Sequence, residues 1–312
     1  MKLDPAIISA LDIDPTKATL TSHGGSGFSS TYQLTTQLPD GSEKRYFVKT
    51  GKGEEARVMF EGEYTSLNAL HSCVPTLCPQ AFSHGPLSSS PSTYYLITTF
   101  LSLSRTPRSP STPSLATKLA QLHSTPAPAD YFGFPVTTCC GSTPQNNTPK
   151  SSWAEFYAEN RITEVARRCE EANGGDGELR GLMERVRGEV VPRLLGRLKV
   201  RPVVVHGDLW SGNGGVAGGE EVVFDPSSCY AHNEYEFGIM KMFGGFGDAF
   251  WKEYHSIVPK AEPVEEYEDR VELYELYHHL NHHALFGSSY RAGAVAIMKR
   301  LVGKYGKSGT KE

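Results

Sequence analysis

Much of what would assign this chain to a class at sight is missing from it. None of its six cysteines sits in a CxxC pair, and no His/Cys group has zinc-finger spacing, which argues against a structural zinc site or a disulfide framework. Cys139 and Cys140 are adjacent and cannot bridge each other without strain, so reduced thiols are expected. The 312 residues carry a net charge of only −4 and no basic run with interleaved aromatics, so neither nucleic acid nor a membrane surface is an expected partner. No apolar run is long enough to span a bilayer. Met1–Pro15 mixes Lys, Asp and Pro with short apolar pieces and lacks the basic start and apolar core of a signal peptide; a cytoplasmic protein is expected. No GKS or GKT follows the chain's glycines, which excludes a Walker loop, and no internal repeat is visible.

What is present is an ordinary globular composition, 38% hydrophobic and 21% charged, with a length that suggests about two domains of roughly 150 residues. The first 100 positions read mainly as strands: Ala18 to Val48 as strand, turn and strand around Pro39-Asp40-Gly41, and Tyr94 to Phe100 as a buried strand. Between them, Glu54 to Leu70 reads as a helix with Val58, Met59, Leu67 and Leu70 inward. Ser102 to Ser114, rich in Ser, Pro and Arg, reads as a solvated loop and marks a lobe boundary. Beyond it helices dominate, with candidates at Leu115–His123, Trp153–Glu171, Glu178–Lys199, Glu234–Phe243, Phe246–Tyr254, Glu265–Leu285 and Gly293–Tyr305. Ser124 to Lys150 reads as irregular. The expected architecture is α+β and bilobal: a small β-rich lobe over residues 1–101 and a larger, mainly helical lobe over residues 102–312, as in a protein-kinase-like fold.

One stretch carries chemistry. His206-Gly207-Asp208-Leu209-Trp210-Ser211-Gly212-Asn213 follows the buried strand Val203-Val204-Val205, and Val222-Val223-Phe224 then runs into Asp225. Gly214 to Glu221 reads as the turn of a hairpin that returns Asp225 beside Asn213. Phosphoryl transfer needs such a set: an Asp to orient or deprotonate the attacking hydroxyl (Asp208), and an amide and a carboxylate to hold magnesium against nucleotide phosphates (Asn213 and Asp225). His206 reads as a structural hydrogen-bonder. Two readings stand for Trp210, an indole face for a sugar ring or a core residue beneath the loop. His282 likewise reads as a donor to substrate hydroxyls or as helix packing.

The nucleotide side is expected from His23 to Thr31, where Gly24, Gly25, Ser26 and Gly27 let backbone amides approach phosphate oxygens. An ordinary glycine-rich hairpin turn would read the same way. Lys49 ends the apolar strand Phe47-Val48-Lys49, and a helical glutamate must pair with it. Glu63 is favoured because Leu67 and Leu70 turn that face inward, with Glu61 as the alternative. Thr99, Phe100 and Leu101, at the end of the strand before the lobe boundary, are expected against the adenine.

These motifs resemble those of the fructosamine/ketosamine-3-kinase family, relatives of aminoglycoside and choline kinases with a protein-kinase-like fold. The resemblance runs through nearly the whole chain: the glycine turn, FVK, Ala56–Glu63, Gly141-Ser142-Thr143-Pro144-Gln145, Trp153-Ala154-Glu155-Phe156, HGDLWSGN, Asp225-Pro226, Tyr230-Ala231-His232-Asn233-Glu234, Phe243-Gly244-Gly245-Phe246 and Leu280-Asn281-His282. It implies an ATP- and magnesium-dependent kinase for the 3-hydroxyl of ribulosamine or fructosamine, on glycated proteins or small ketosamines, acting in protein deglycation. A different alcohol-bearing small molecule or a pseudokinase binding module are the competing readings. The chain departs from the family in having no cysteine between Gly24 and Thr31, the residue through which several relatives join two chains, so monomer and homodimer both stand. It also departs at Ser227, Asn233 and Glu236.

Overall fold

The computed structural model describes residues 3–26 and 29–306. After a short helix α1 (Pro5–Leu11), three strands β1 (Ala18–Ser26), β2 (Ser29–Gln37) and β3 (Glu43–Lys52) lead into the long helix α2 (Gly53–Cys73), and β4 (Ala81–Leu87) and β5 (Ser90–Thr99) complete an antiparallel sheet of order β1-β2-β3-β5-β4. Period-two alternation divides its residues. Tyr46, Val48, Tyr95 and Ile97 face a core closed by Ile7 of α1 and by Leu34 and Leu87, while Leu96 meets Ala56 and Phe60 of α2 on the other side. Lys49, one residue past Val48, therefore points away from that first core. Asp4 caps α1 through Ala6 N and also accepts from Ser88 N and Ser89 N, which fixes the helix to the β4–β5 turn.

The rest is mainly helical. The first strand here, β6 (Leu103–Ser104), is followed by α3 (Leu115–Ser124), the small hairpin of β7 (Thr138–Cys140) and β8 (Thr143–Gln145), and one continuous helix made of α4 (Trp153–Phe156), a π-helical segment (Tyr157–Thr163) and α5 (Glu164–Asn173). A second such helix joins α6 (Gly177–Arg185), a π segment (Val186–Val190) and α7 (Val191–Leu194). Then come β9 (Val203–Val205), the hairpin of β10 (Gly214–Ala217) and β11 (Glu220–Val223), β12 (Cys229–Ala231) paired with β9, and helices α8 (Phe237–Phe243), α9 (Asp248–Ile257), α10 (Tyr267–Phe286) and α11 (Arg291–Tyr305). The buried helix α10 packs against α5, α8 and α11 at the centre of the large core. Among the described residues no helix is long and apolar enough to cross a membrane.

Helix α2 joins the two regions. Its first half packs on the sheet, while Leu67 and Leu70 enter the helical core. The inward residues of its first half are Ala56 and Phe60; Val58 and Met59, expected in the core, are only half-buried. The segment from Ser102 to Ser114 is mostly exposed, but it is more than a solvated loop. Leu103 and Ser104 pair with Ala217 and Val216, Ser109 N donates to Gly219 O at 2.8 Å, and Arg108 reaches Glu221, so the segment straps the β10–β11 hairpin. That hairpin is longer than expected: Gly214–Ala217 and Glu221 belong to strands, and only Gly218 and Gly219, both at positive φ, lie between them.

Candidate active site

Strand β9 delivers His206-Gly207-Asp208 into a loop whose backbone is held from behind. The buried Glu236 carboxylate accepts from His206 N at 2.5 Å and from Gly207 N at 2.9 Å. Gly207 has φ +81°, and a Cβ there would stand 2.1 Å from Ser227 O, so only glycine lets the loop pass. Burial lowers the pKa of His206, against the pull of Glu236, and the neutral ring serves two backbone groups. Its Nε2 donates to Phe224 O at 3.0 Å, and its Nδ1 accepts from Asp208 N at 3.3 Å. One imidazole thus sets the residue before Asp225 and Asp208 itself in a common frame.

Asn213 completes that frame. Its Nδ2 donates to Asp208 O at 2.9 Å and lies 3.4 Å from Asp208 Oδ2, and its own carbonyl accepts from Phe224 N at 3.0 Å. The hairpin therefore does return Asp225 to the neighbourhood of Asn213. Asp225 has a positive φ of 56°, uncommon for a residue with a side chain. Its carboxylate is half exposed and accepts from Lys49 Nζ at 2.6 Å. The same ammonium donates to both oxygens of Glu63, at 2.8 and 2.9 Å. Glu61 instead pairs with Arg57. Burial works against the charge on Lys49, but Glu63 and Asp225 outweigh it and hold its pKa above the ordinary lysine value.

These groups close one end of a cavity of about 470 Å³. Gly24, Gly25, Lys49, Glu63, Thr99, Phe100, Leu101 and Asp225 all line it. Ser26 ends β1, and Gly27 lies outside the described residues. Phe47 and Phe100 give the cavity aromatic walls, with His23 edge-on to both. Asp208, Asn213, Trp210 and His282 are not in this lining. Trp210 is 37% exposed, so it is not a core residue beneath the loop. Its ring lies over Gly212, where a Cβ would come within 2.2 Å of it, and 5.6 Å from the ring of Phe243. Phe243 in turn lies 5.2 Å from the ring of His282, whose Nδ1 donates to His278 O.

The electrostatics single out Asp208. Burial first, and then the nearby charge of Asp225, push its carboxyl up to about 8. Cys140 Sγ stands 3.8 Å from Asp208 Oδ1. Asn213 and Asp225 contribute an amide and a carboxylate, the hard oxygen donors that suit magnesium, and the exposure of the Asp225 carboxylate leaves it open to a cation. Three residues near the loop were not anticipated there: Glu236 under it, Cys140 beside Asp208, and His278, a ring nitrogen of which lies within 4.8 Å of Cys140 Sγ and of an Asp208 carboxylate oxygen. No spacing signal links them to the loop, because each arrives from a different element.

Comparison with known proteins shows the family and the fold. The model of the fructosamine kinase family matches residues 8–304. The chain is 35% identical to the ketosamine-3-kinase of Mus musculus over 90% of its own length and 94% of the relative's. A solved structure from Thermobifida fusca, described as a candidate fructosamine-3-kinase, superposes with a TM-score of 0.77 at 26% identity, covering 96% of this chain and 99% of that one. An aminoglycoside phosphotransferase solved with AMP-PNP and hygromycin B superposes at TM-score 0.53 and 14% identity over 99% of this chain and 100% of that one. That likeness is one of fold alone, and the fold is the protein-kinase-like one.

Proposed function

The chain belongs to the fructosamine kinase family of phosphotransferases, and from that premise we propose that it is an ATP-dependent ketosamine 3-kinase. Its acceptor is the 3-hydroxyl of ribulosamine or fructosamine on protein lysines or on small ketosamines. Because the 3-phosphate product is unstable and releases the amine, the reaction leads to protein deglycation. The division into a nucleotide-binding lobe (1–101) and a catalytic, substrate-binding lobe (102–312) is part of the same reading.

ATP takes the cavity, with its base toward Thr99, Phe100 and Leu101 and its phosphates toward Gly24, Gly25 and Lys49. Lys49, aimed by Glu63, neutralises phosphate oxygens. Asn213 and Asp225 would hold Mg²⁺, which would supply positive charge to offset that of the phosphates. Asp208 accepts a hydrogen bond from the sugar 3-hydroxyl and aligns it for in-line attack, while Trp210 and His282 face the sugar. Positioning and preorganised charge supply most of the rate gain, since phosphoryl transfer asks little covalent help of a protein.

The observation that carries this reading is the Lys49 ammonium shared by Glu63 at 2.8 Å and Asp225 at 2.6 Å on the cavity wall, with Asp225 coupled through Phe224 to the loop of Asp208 and Asn213. The test is transfer of labelled phosphate from ATP to ribulosyl-lysine, compared with fructosyl-lysine. Label should appear on the sugar, and Asp208→Asn should lose about 100-fold or more in rate, the usual scale for such a group. Folded protein that transfers to neither substrate sinks the proposal. A second reading has one observation in its favour: Phe243 beside Trp210 offers an aromatic face to a cationic alcohol such as choline or an aminoglycoside. Including both in the acceptor panel decides between them.

A further inference from the structure

The proposed reaction leaves one cluster beside Asp208 unused. Cys140, at the end of β7, is buried, and its thiol stands 3.8 Å from Asp208 Oδ1. His278, on α10, is 1% exposed. A ring nitrogen of His278, the Cys140 sulfur and an Asp208 carboxylate oxygen all lie within 4.8 Å of one another. The His278 Nδ1 has no hydrogen-bond partner among the described residues, in an interior where buried polar atoms are nearly always paired. Other buried histidine nitrogens are unpaired too, His71 and His279 among them; what sets His278 apart is that it stands with a thiol and a carboxylate at ligand distance. Burial first, and then His282 and His279, hold the His278 imidazole well below its ordinary pKa, so the ring is neutral and has a lone pair to give. The arrangement is braced, since Asn281 Nδ2 donates to Cys140 O at 3.2 Å and ties β7 to α10.

We propose that Cys140, Asp208 and His278 form a binding site for a thiophilic divalent cation of the zinc type, and that its occupation switches the enzyme off by taking Asp208 as a ligand. The inhibition rests on the kinase reading above; the binding site does not. Sulfur, imidazole nitrogen and carboxylate oxygen are the donors zinc accepts, and three protein ligands leave a fourth position for water. As the cation binds, the Cys140 thiol proton and any proton on Asp208 pass to solvent, so binding tightens as pH rises. Magnesium demands oxygen ligands in octahedral geometry and does not compete for sulfur. Saturating magnesium at Asn213 and Asp225 therefore leaves the zinc-type site available.

The experiment is a titration of the purified full chain, without nucleotide, first with Co²⁺ as a spectroscopic stand-in and then with Zn²⁺ by equilibrium dialysis. One equivalent should bind tightly, with a thiolate-to-cobalt charge-transfer band in the near ultraviolet that zinc bleaches. Cys140→Ser should abolish the band, and His278→Gln should weaken zinc binding by at least about 100-fold, beyond the ~10–100-fold that outer-shell partners cost. Cys139→Ser should leave both unchanged. In the phosphate-transfer assay at saturating magnesium, zinc should inhibit the wild type, a chelator should restore it, and both ligand variants should resist. No charge-transfer band in the wild-type protein overturns the site, and that result needs no variant to fold. Tight binding indifferent to Cys140→Ser and His278→Gln also overturns it. Loss of kinase activity in every assay, with the cobalt band intact, would overturn the kinase reading and leave the site standing.

Discussion

At Asp208 the surroundings disfavour a charge on the carboxyl that the proposed reaction uses. Its carboxyl sits at about 8 against an ordinary value of 3.8, because burial and Asp225 both oppose ionisation. Below about 4 the folded and unfolded chains both hold the proton; between about 4 and 8 only the folded chain does. Stability therefore falls as pH rises through that window, and the penalty is complete above it. Without nucleotide, Asp208→Asn should melt at a higher temperature than the wild type at pH 8, and the gap should close toward pH 4; thermal unfolding at the two ends checks it, and a variant that melts lower at pH 8 contradicts it. In the transferase assay, kcat/KM of the free enzyme should climb with pH through the same range, since the aligning group works ionised. Lys49, Asp208, Asn213 and Asp225 could be singled out in the sequence because phosphoryl transfer demands those side-chain types at those separations, and the fold brings Lys49 to Asp225 and Asn213 to Asp208. Glu236, Cys140 and His278 could not be, because a buried carboxylate, thiol or imidazole looks in sequence like any other.

At the scale of elements, α2 decides where Glu63 stands. Gly62 lets the helix lie against the start of β7, and a Cβ at that position would come within 2.7 Å of Thr137 O and 3.0 Å of Thr138 Cα. Both neighbours are backbone and cannot swing aside. Gly62→Ala should cost about 1–3 kcal/mol, the usual range for overpacking, and should tilt Glu63 off Lys49. Denaturant unfolding should show the loss of stability, and the Michaelis constant for ATP should rise; unchanged values for both would show that α2 has slack the packing denies it. The helix itself was readable from its periodicity. The β7–β8 hairpin and the β6 strap were not, because runs of two or three paired residues leave too little alternation to see, and the Ser/Pro-rich composition around Leu103 signals solvent even where the backbone finds a partner; β4, though seven residues long, carries Gly85 and Pro86 and no period-two burial pattern.

For the molecule as a whole, the cavity wall is assembled from the sheet, α2 and the Phe224-Asp225 segment that follows β11, so a ligand there links elements that belong to three separate core clusters. A ligand that binds only the folded chain stabilises it by mass action, by about 2.7 kcal/mol at 100 times Kd. Magnesium-ATP should therefore raise the melting temperature by a few degrees. Lys49→Met should remove most of that shift, and Asp225→Asn should remove its dependence on magnesium; equal shifts in all three proteins would place the nucleotide elsewhere. Local patterning was enough for the strand-rich beginning, the helical remainder and the pairing of Asp208 with Asn213 and Asp225 as candidates, because alternation, turn residues and motif spacing are written over a few neighbouring positions. Helix periodicity already favoured Glu63 over Glu61 for Lys49, but packing alone decided that Trp210 faces solvent and that Cys140 and His278 meet at Asp208. Those outcomes depend on contacts between positions far apart in the chain, where the relative placement of whole elements, and not the pattern within any one of them, sets which side chains touch.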